Sequence, residues 1–296
     1  MSKLRRLLPV AVALLLAFLL TSCFGTSRTP SFGKRHKPVT GGPPPVLKVA
    51  TRDELVAAIA RNYDAIQSFT GTSVTLTASS GGVYVGRIVD YPGIPAQILF
   101  RKPDDIRIHA TLPIVGALAF DMASNETSFR FYYARGNEFI EGLNDAPATS
   151  ANKMENLRPK AFLSSMLIRP WDRATESVML KDDTDEDDAL YRLEFNLKGL
   201  DGNAIPGREI WFDRLDNLNI VRQKVYDDLG NIVSDTSYSE WKPFTGVPFP
   251  AHIDISRPKD GYRVAIEITA MDMNKELTNA QFTLPQPEGS TLKEIK

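Results

Sequence analysis

From Phe69 almost to its end this chain alternates apolar and polar residues with a period of two. Successive side chains of an extended strand point to opposite faces, so a run of this kind demands antiparallel sheet with one face buried and one wet. Turn signals cut the run into hairpins: Gly81-Gly82, Pro103-Asp104, Asn125-Glu126, Asp201-Gly202, Asp228-Leu229-Gly230 and Asp260-Gly261. The clearest strand puts Tyr191, Leu193, Phe195 and Leu197 on one face and charged or polar residues on the other; Tyr262, Val264, Ile266 and Ile268 repeat the pattern, as do Phe129, Phe131 and Tyr133. About twelve strands fit between residues 70 and 284, too many for one flat sheet, so a curled sheet or a barrel is implied.

Two segments break the alternation. Thr51-Arg52-Asp53-Glu54 is a capping-box pattern, and Leu55, Val56, Ile59, Tyr63 and Ile66 follow at helical spacing, which predicts one amphipathic helix over about 52–67. Midway, residues 143–170 form a link that leads into LRPKAFLSSMLIRPWD. Pro159 suits the first turn of a helix, Phe162, Leu163, Met166 and Leu167 share one face, and Arg169-Pro170 stops it. An apolar stripe on so short a helix must be buried, and the concave side of the curled sheet is the nearest apolar surface. With no repeat and no clean linker, residues 50–296 read as one domain.

The N-terminus has a separate logic. Lys3, Arg5 and Arg6 precede an apolar run from Leu7 to Leu20, and Thr21-Ser22 lead to Cys23, the one cysteine in 296 residues. That is the layout of a secretory signal over residues 1–22, and the run is shorter than the roughly 20 residues that cross a hydrocarbon core. Leu20-Thr21-Ser22-Cys23 also resembles the lipobox of bacterial lipoproteins. The resemblance implies cleavage between Ser22 and Cys23, S-diacylglyceryl and N-acyl modification of Cys23, and, with Phe24 rather than Asp following, a place on the periplasmic face of the outer membrane. The alternative for Cys23 is a free thiol behind a signal, exposed to oxidation. Residues 23–49, rich in Pro, Gly, Ser and bases, read as a flexible tether whose Arg28, Lys34, Arg35 and Lys37 either meet anionic headgroups or only keep it soluble. The net charge is −1, and losing the signal removes three bases and no acids, so a mildly acidic body speaks against nucleic acid as partner.

Catalytic constellations are missing: the chain has no G-x-S-x-G elbow, no Gly-rich phosphate loop and no H-E-x-x-H, so neither catalytic residues, cofactor nor metal are expected. His36 lies in the tether, and His109 and His252 lie in separate strands. Asp183, Asp185 and Asp187 fall at positions 1, 3 and 5 of a possible calcium loop with Glu194 at position 12, but Asp188 stands where that loop needs Gly. A solvated acidic hairpin loop fits better. Trp171, Trp211 and Trp241 are scattered and read as packing or rim residues.

The opening helix LVAAIARNYDAIQSFTG, the segment LPIVGALAFDMASNETSFRFYYARGNEFIEG, the inserted helix and the closing VPFPAHIDISRPKDGYRVAIEITAMDMNKELTNAQFTLPQP together resemble the LolA/LolB-like family of envelope proteins. The resemblance implies a mainly β (α+β) fold, a strongly curved, antiparallel, incomplete β-barrel of about 11–13 strands with an N-terminal helix and an inserted covering helix. It further implies an apolar concave space that accepts acyl chains or lipoproteins. The residues expected to face such a ligand are Phe100, Phe120, Phe131, Phe162, Leu163, Met166, Tyr191, Leu193 and Phe195. In LPIVGAL, Leu112, Ile114 and Val115 are read either as an exposed apolar loop or as the buried start of a strand over 116–122. Against the acyl-binding expectation stands a lipoprotein of another class, with a barrel filled by its own side chains that docks onto an envelope protein.

Overall fold

In the computed structural model, residues 45–82, 86–146, 157–199 and 203–295 are described, without the side chains of 82–92. The signal, Ser22 and Cys23, and most of the tether lie outside them, as does the turn expected at Asp201-Gly202. Among the described residues Lys48 makes the first of the hydrogen bonds, its N–H donating to the Arg214 carbonyl and its carbonyl accepting from Arg214 Nε, both at 3.0 Å.

Helix α1, Arg52–Ala65, starts on the capping box read from the sequence: the Glu54 N–H donates to Thr51 Oγ1, and the Thr51 N–H donates to Glu54 Oε2 at 2.7 Å. Leu55 and Ile59 are its buried face. The first meander follows as β1 (Ser68–Gly82), β2 (Gly86–Arg101), β3 (Asp105–Thr111), β4 (Leu118–Ser124), β5 (Ser128–Tyr133) and β6 (Glu138–Leu143). Helix α2, Pro159–Met166, interrupts. The second meander is β7 (Glu176–Asp182), β8 (Leu190–Lys198), β9 (Ala204–Asp213), β10 (Asn219–Tyr226), β11 (Ile232–Phe244), β12 (Val247–Arg257) and β13 (Tyr262–Met273), with β14 (Thr291–Ile295) at the end.

All fourteen strands belong to one sheet in the order β14-β6-β5-β4-β3-β2-β1-β13-β12-β11-β10-β9-β8-β7. The β1–β13 ladder, in which Leu76 opposes Ile266 and Val74 opposes Ile268, joins the two meanders, so β14 and β7 are left as unpaired edges. The barrel is therefore incomplete, as expected. The link from β6 to β7 has to pass from one meander to the far side of the other, and α2 sits on it. Strand count exceeds the expected range through β14, which pairs with β6 in parallel.

Alternate residues meet on the inner face: Phe100 against Ile106, Ile108 against Met122, Met122 against Phe131, Tyr191 against Phe212. These belong to a single apolar cluster that reaches from α1 through both meanders and includes Phe162, Leu163, Met166 and Leu167 of α2 and its C-terminal flank.

Behind the first meander the chain after β13 runs over the outer face as a strap. Arg101 donates to the Leu277 carbonyl, Arg107 to the Gln281 carbonyl at 3.0 Å, and Arg130 to that of Leu284, while Leu284 packs with Ala123 and Phe139. Asp121, 6 % exposed, orients Arg107 through two hydrogen bonds and also holds His109. Removing the carboxylate leaves a guanidinium without its partner under the strap. Asp121→Ala is expected to destabilise the fold by about 3 kcal/mol, read as a lowered urea midpoint; a midpoint within error of the parent would show that the strap is held otherwise.

Candidate functional site

The inserted helix occupies the space that the curled sheet encloses. Arg158, its N-cap, is buried and its guanidinium lies 4.8 Å from the centre of the Phe129 ring. Six of the eight α2 residues are buried, and the exposed face reduces to Ser164 and part of Lys160. Pro159 at N1 explains why the helix begins where it does, since its fixed φ suits the first turn.

Polar groups fix the helix in register with the second meander. Tyr238 on β11 donates from its hydroxyl to the Ser165 carbonyl at 2.7 Å and lies 3.2 Å from Gln223 Oε1. Thr236 donates to the Ser165 hydroxyl at 3.2 Å. Burial pushes the Tyr238 phenol far above the usual tyrosine range, so it remains a donor at any physiological pH.

Every residue expected to face a ligand is found on the inner face or on α2, and all are buried: Phe100, Leu193 and Phe195 fully, Phe131 at 1 %, Phe162, Leu163 and Met166 at 3–4 %, Tyr191 at 7 % and Phe120 at 8 %. They are brought together, but as packing partners. Phe120 and Phe131 lie 5.8 Å apart, Phe69 and Phe100 5.1 Å. Arg214 covers Tyr191 and Arg208 covers Phe195, each with its guanidinium within 4.3 Å of the ring centre. Between α1, α2 and the second meander lies a small space of about 30 Å³, partly open to solvent and lined by Ile59, Tyr63, Met166, Leu167, Tyr238 and Phe249. That holds one or two waters and no acyl chain.

The β3–β4 hairpin decides between the two readings of LPIVGAL in favour of the loop. Strand β4 starts at Leu118, and Leu112, Ile114 and Val115 are 44 %, 106 % and 71 % exposed. Ile114 sits at φ 73°, a conformation a β-branched residue adopts only under strain. The acidic loop between β7 and β8 is an ordinary hydrogen-bonded turn: Asp185 accepts the N–H groups of Asp187 and Asp188, while Asp182 and Asp183 hold Arg214 and Arg192. Trp171 and Trp241 donate to the carbonyls of Glu176 and Ile220, and Trp211 lies among Arg192, Arg222 and Lys224. Arg158 and the strap were missed by sequence reasoning. Basic residues at the outward positions Arg101, Arg107 and Arg130 were the available sign of the strap, but their acceptors are carbonyls, which carry no sequence signature.

The described residues thus form one open sheet, antiparallel except for β14, with α2 covering its inner face. No protein-family model matches the chain, and no curated protein matches its sequence. Among solved structures it is similar to a LolA superfamily protein from Nitrosomonas europaea, with 13 % identity, 77 % of this chain and 97 % of that one covered, and a TM-score of 0.47. A DUF1329 family protein from Desulfovibrio piger gives 14 %, 78 %, 95 % and 0.48. A domain named for outer membrane lipoprotein sorting, from Vibrio parahaemolyticus, gives 8 %, 77 %, 94 % and 0.44. These likenesses are of sheet architecture at low identity, and no activity is taken from them.

Proposed function

We propose that this is a lipid-anchored, periplasm-facing binding protein that accepts acyl chains or acylated proteins on the concave face of its half-barrel, with α2 as the plug that ligand displaces. The observation that carries the reading is the way the interior is closed. A wall of aromatic and branched side chains is completed by α1 and the eight-residue α2 rather than by a second sheet. Surface of that kind, once uncovered, has no use for specific hydrogen bonds, which suits an alkyl chain.

Magnitudes favour an exchange. Burial of Phe162, Leu163, Met166 and Leu167 stabilises the docked helix by about 1.5–3 kcal/mol each, or roughly 6–12 together. An acyl chain of about 15 methylenes gains roughly 12 kcal/mol on full burial. One chain about balances the helix, and two or three chains on one molecule exceed it, so multiply acylated ligands are preferred.

Within the same reading Cys23 anchors the protein by its acyl groups, residues 23–49 give it reach, and the outer membrane is the membrane it stands on. The exposed Leu112, Ile114 and Val115 then form an apolar tip suited to a bilayer. Replacing Ile114 and Val115 together by Asp is expected to lower binding of the Cys23→Ser protein to lipid vesicles about tenfold or more, since each buried branched side chain is worth about 1.5–3 kcal/mol. Unchanged sedimentation with vesicles would remove the hairpin from the account.

A second reading is favoured by the filled interior: a structural lipoprotein whose surface docks onto an envelope protein. Native mass spectrometry of the Cys23→Ser protein separates the two. Acyl ligand retained after incubation with a triacylated peptide supports the first, and a protein that stays empty at saturating peptide supports the second.

A further inference from the structure

Beside α2 a cleft of about 370 Å³ opens to solvent, within the range of about 300–1,000 Å³ usual for small-ligand sites. Leu163, Leu167 and Val225 give it an apolar floor. Its charged groups are mostly engaged. Arg208 holds Glu176 at 2.9 Å and donates to the Arg169 and Pro170 carbonyls, Arg169 holds Asp104 at 2.8 Å, and Asp172 accepts from the Ala174 N–H and the Thr175 hydroxyl. Lys160, half-buried in the first turn of α2, makes no ion pair and no hydrogen bond among the described residues. It is the cation at this rim whose three donors remain for a ligand.

The floor of the cleft is thin. Leu167 lines both the cleft and the 30 Å³ space beside α1, and Gln223 in the cleft wall is hydrogen-bonded to the buried Tyr238. Leu167 and the Gln223–Tyr238 pair are what divides the cleft from the small space beside α1.

We infer that this cleft is the route by which an alkyl chain reaches the barrel interior, and that Lys160 at its rim binds the anionic headgroup, so that the ligand is an anion-headed amphiphile. The inference rests on the acyl-binding reading above and narrows it. The chain enters along Val225 as α2 swings out about its first turn with Leu167 at the far end moving aside, and the carboxylate or phosphate stays with Lys160 at the solvent edge, where its charge is not buried. A headgroup held there adds a charge-assisted hydrogen bond that a neutral head cannot form.

Titration of the Cys23→Ser full chain with oleate, with oleoyl lysophosphatidate and with oleyl alcohol tests this. Both anions are expected to bind about tenfold more tightly than the alcohol, the value of one hydrogen bond to a charged group. Whichever anion binds better identifies the headgroup. Lys160→Gln is expected to abolish that difference, bringing both anions to the affinity the same variant shows for the alcohol, and Leu167→Ala to speed association of all three. Equal binding of alcohol and anions, or a preference that survives Lys160→Gln, overturns the headgroup site, and an on-rate unaltered by Leu167→Ala overturns the route. In either event binding of the chain itself still stands. Failure of all three amphiphiles to bind the parent protein, and also a variant in which α2 is loosened, would instead overturn the acyl-binding reading.

Discussion

Phe162→Ala combined with Met166→Ala is expected to tighten acyl binding by about a hundredfold or more. The two side chains are 3 % and 4 % exposed and belong to the helix, not to the sheet. Truncating a buried Phe or Met costs roughly 2–5 kcal/mol. That loss falls on the state in which α2 is docked, and therefore on the competitor of the ligand. If ligand and helix use the same surface, apparent affinity rises by the factor by which the docked state is weakened, and about 1.4 kcal/mol is worth tenfold. Global unfolding should move less than the truncated volume suggests, because the sheet keeps its own packing when the helix leaves. A fluorescent long-chain fatty acid measures the affinity directly. Weaker binding in the double variant would mean that α2 forms part of the site and does not compete for it.

Phe100→Ala is expected to behave in the opposite way. Phe100 is fully buried at the middle of the sheet, opposite Ile106 on β3 and Phe69 on β1, whose ring lies 5.1 Å away. Phe100 on β2 is held on both sides by the ladders to β1 and β3, so nothing relaxes into the hole. The cost should be about 3–5 kcal/mol, read from urea unfolding with an unchanged m-value, and acyl affinity should fall, if it changes at all, through loss of the wall. A loss below about 1 kcal/mol would show that the inner face is not the packed frame described here. The contrast between Phe100 and Phe162 separates the part of the interior that holds the fold from the part that closes it.

The strands, most of the hairpin turns and both helices were legible because each depends on a local rule. Period-two alternation fixes which face of β8 carries Tyr191, Leu193 and Phe195, the Thr51–Glu54 box starts α1, and Pro159 with the 162, 163, 166, 167 stripe marks α2. What was not legible depends on distance in space. Whether Phe120, Phe131 and Phe162 line a hollow or fill it is a question of summed volumes across seven or eight strands, and alternation is the same in either case. The exposure of Ile114 turns on a left-handed backbone torsion that no β-branched residue advertises. The outer strap and the parallel strand β14 lie far along the chain from their partners, Arg107 and β6, and are held largely by carbonyls. At the candidate site, each aromatic residue shows as one apolar position of a strand or helix, while the contact of Arg158 depends on how α2 meets β5 and the cleft with Lys160 on how it meets β9 and β10.

The central claim is that α2 and an acyl chain compete for one surface, and a reversible lock tests it most directly. The hydroxyl oxygens of Ser165 and Thr236 are 3.2 Å apart, near enough for cysteines at the two positions to close a bridge of about 2 Å. In the Cys23→Ser background, S165C/T236C contains no other thiol. Native mass spectrometry after incubation with a triacylated peptide should show an empty protein when the pair is oxidised and an acyl-bound protein when it is reduced. Equal acyl capture in the two redox states would contradict the account.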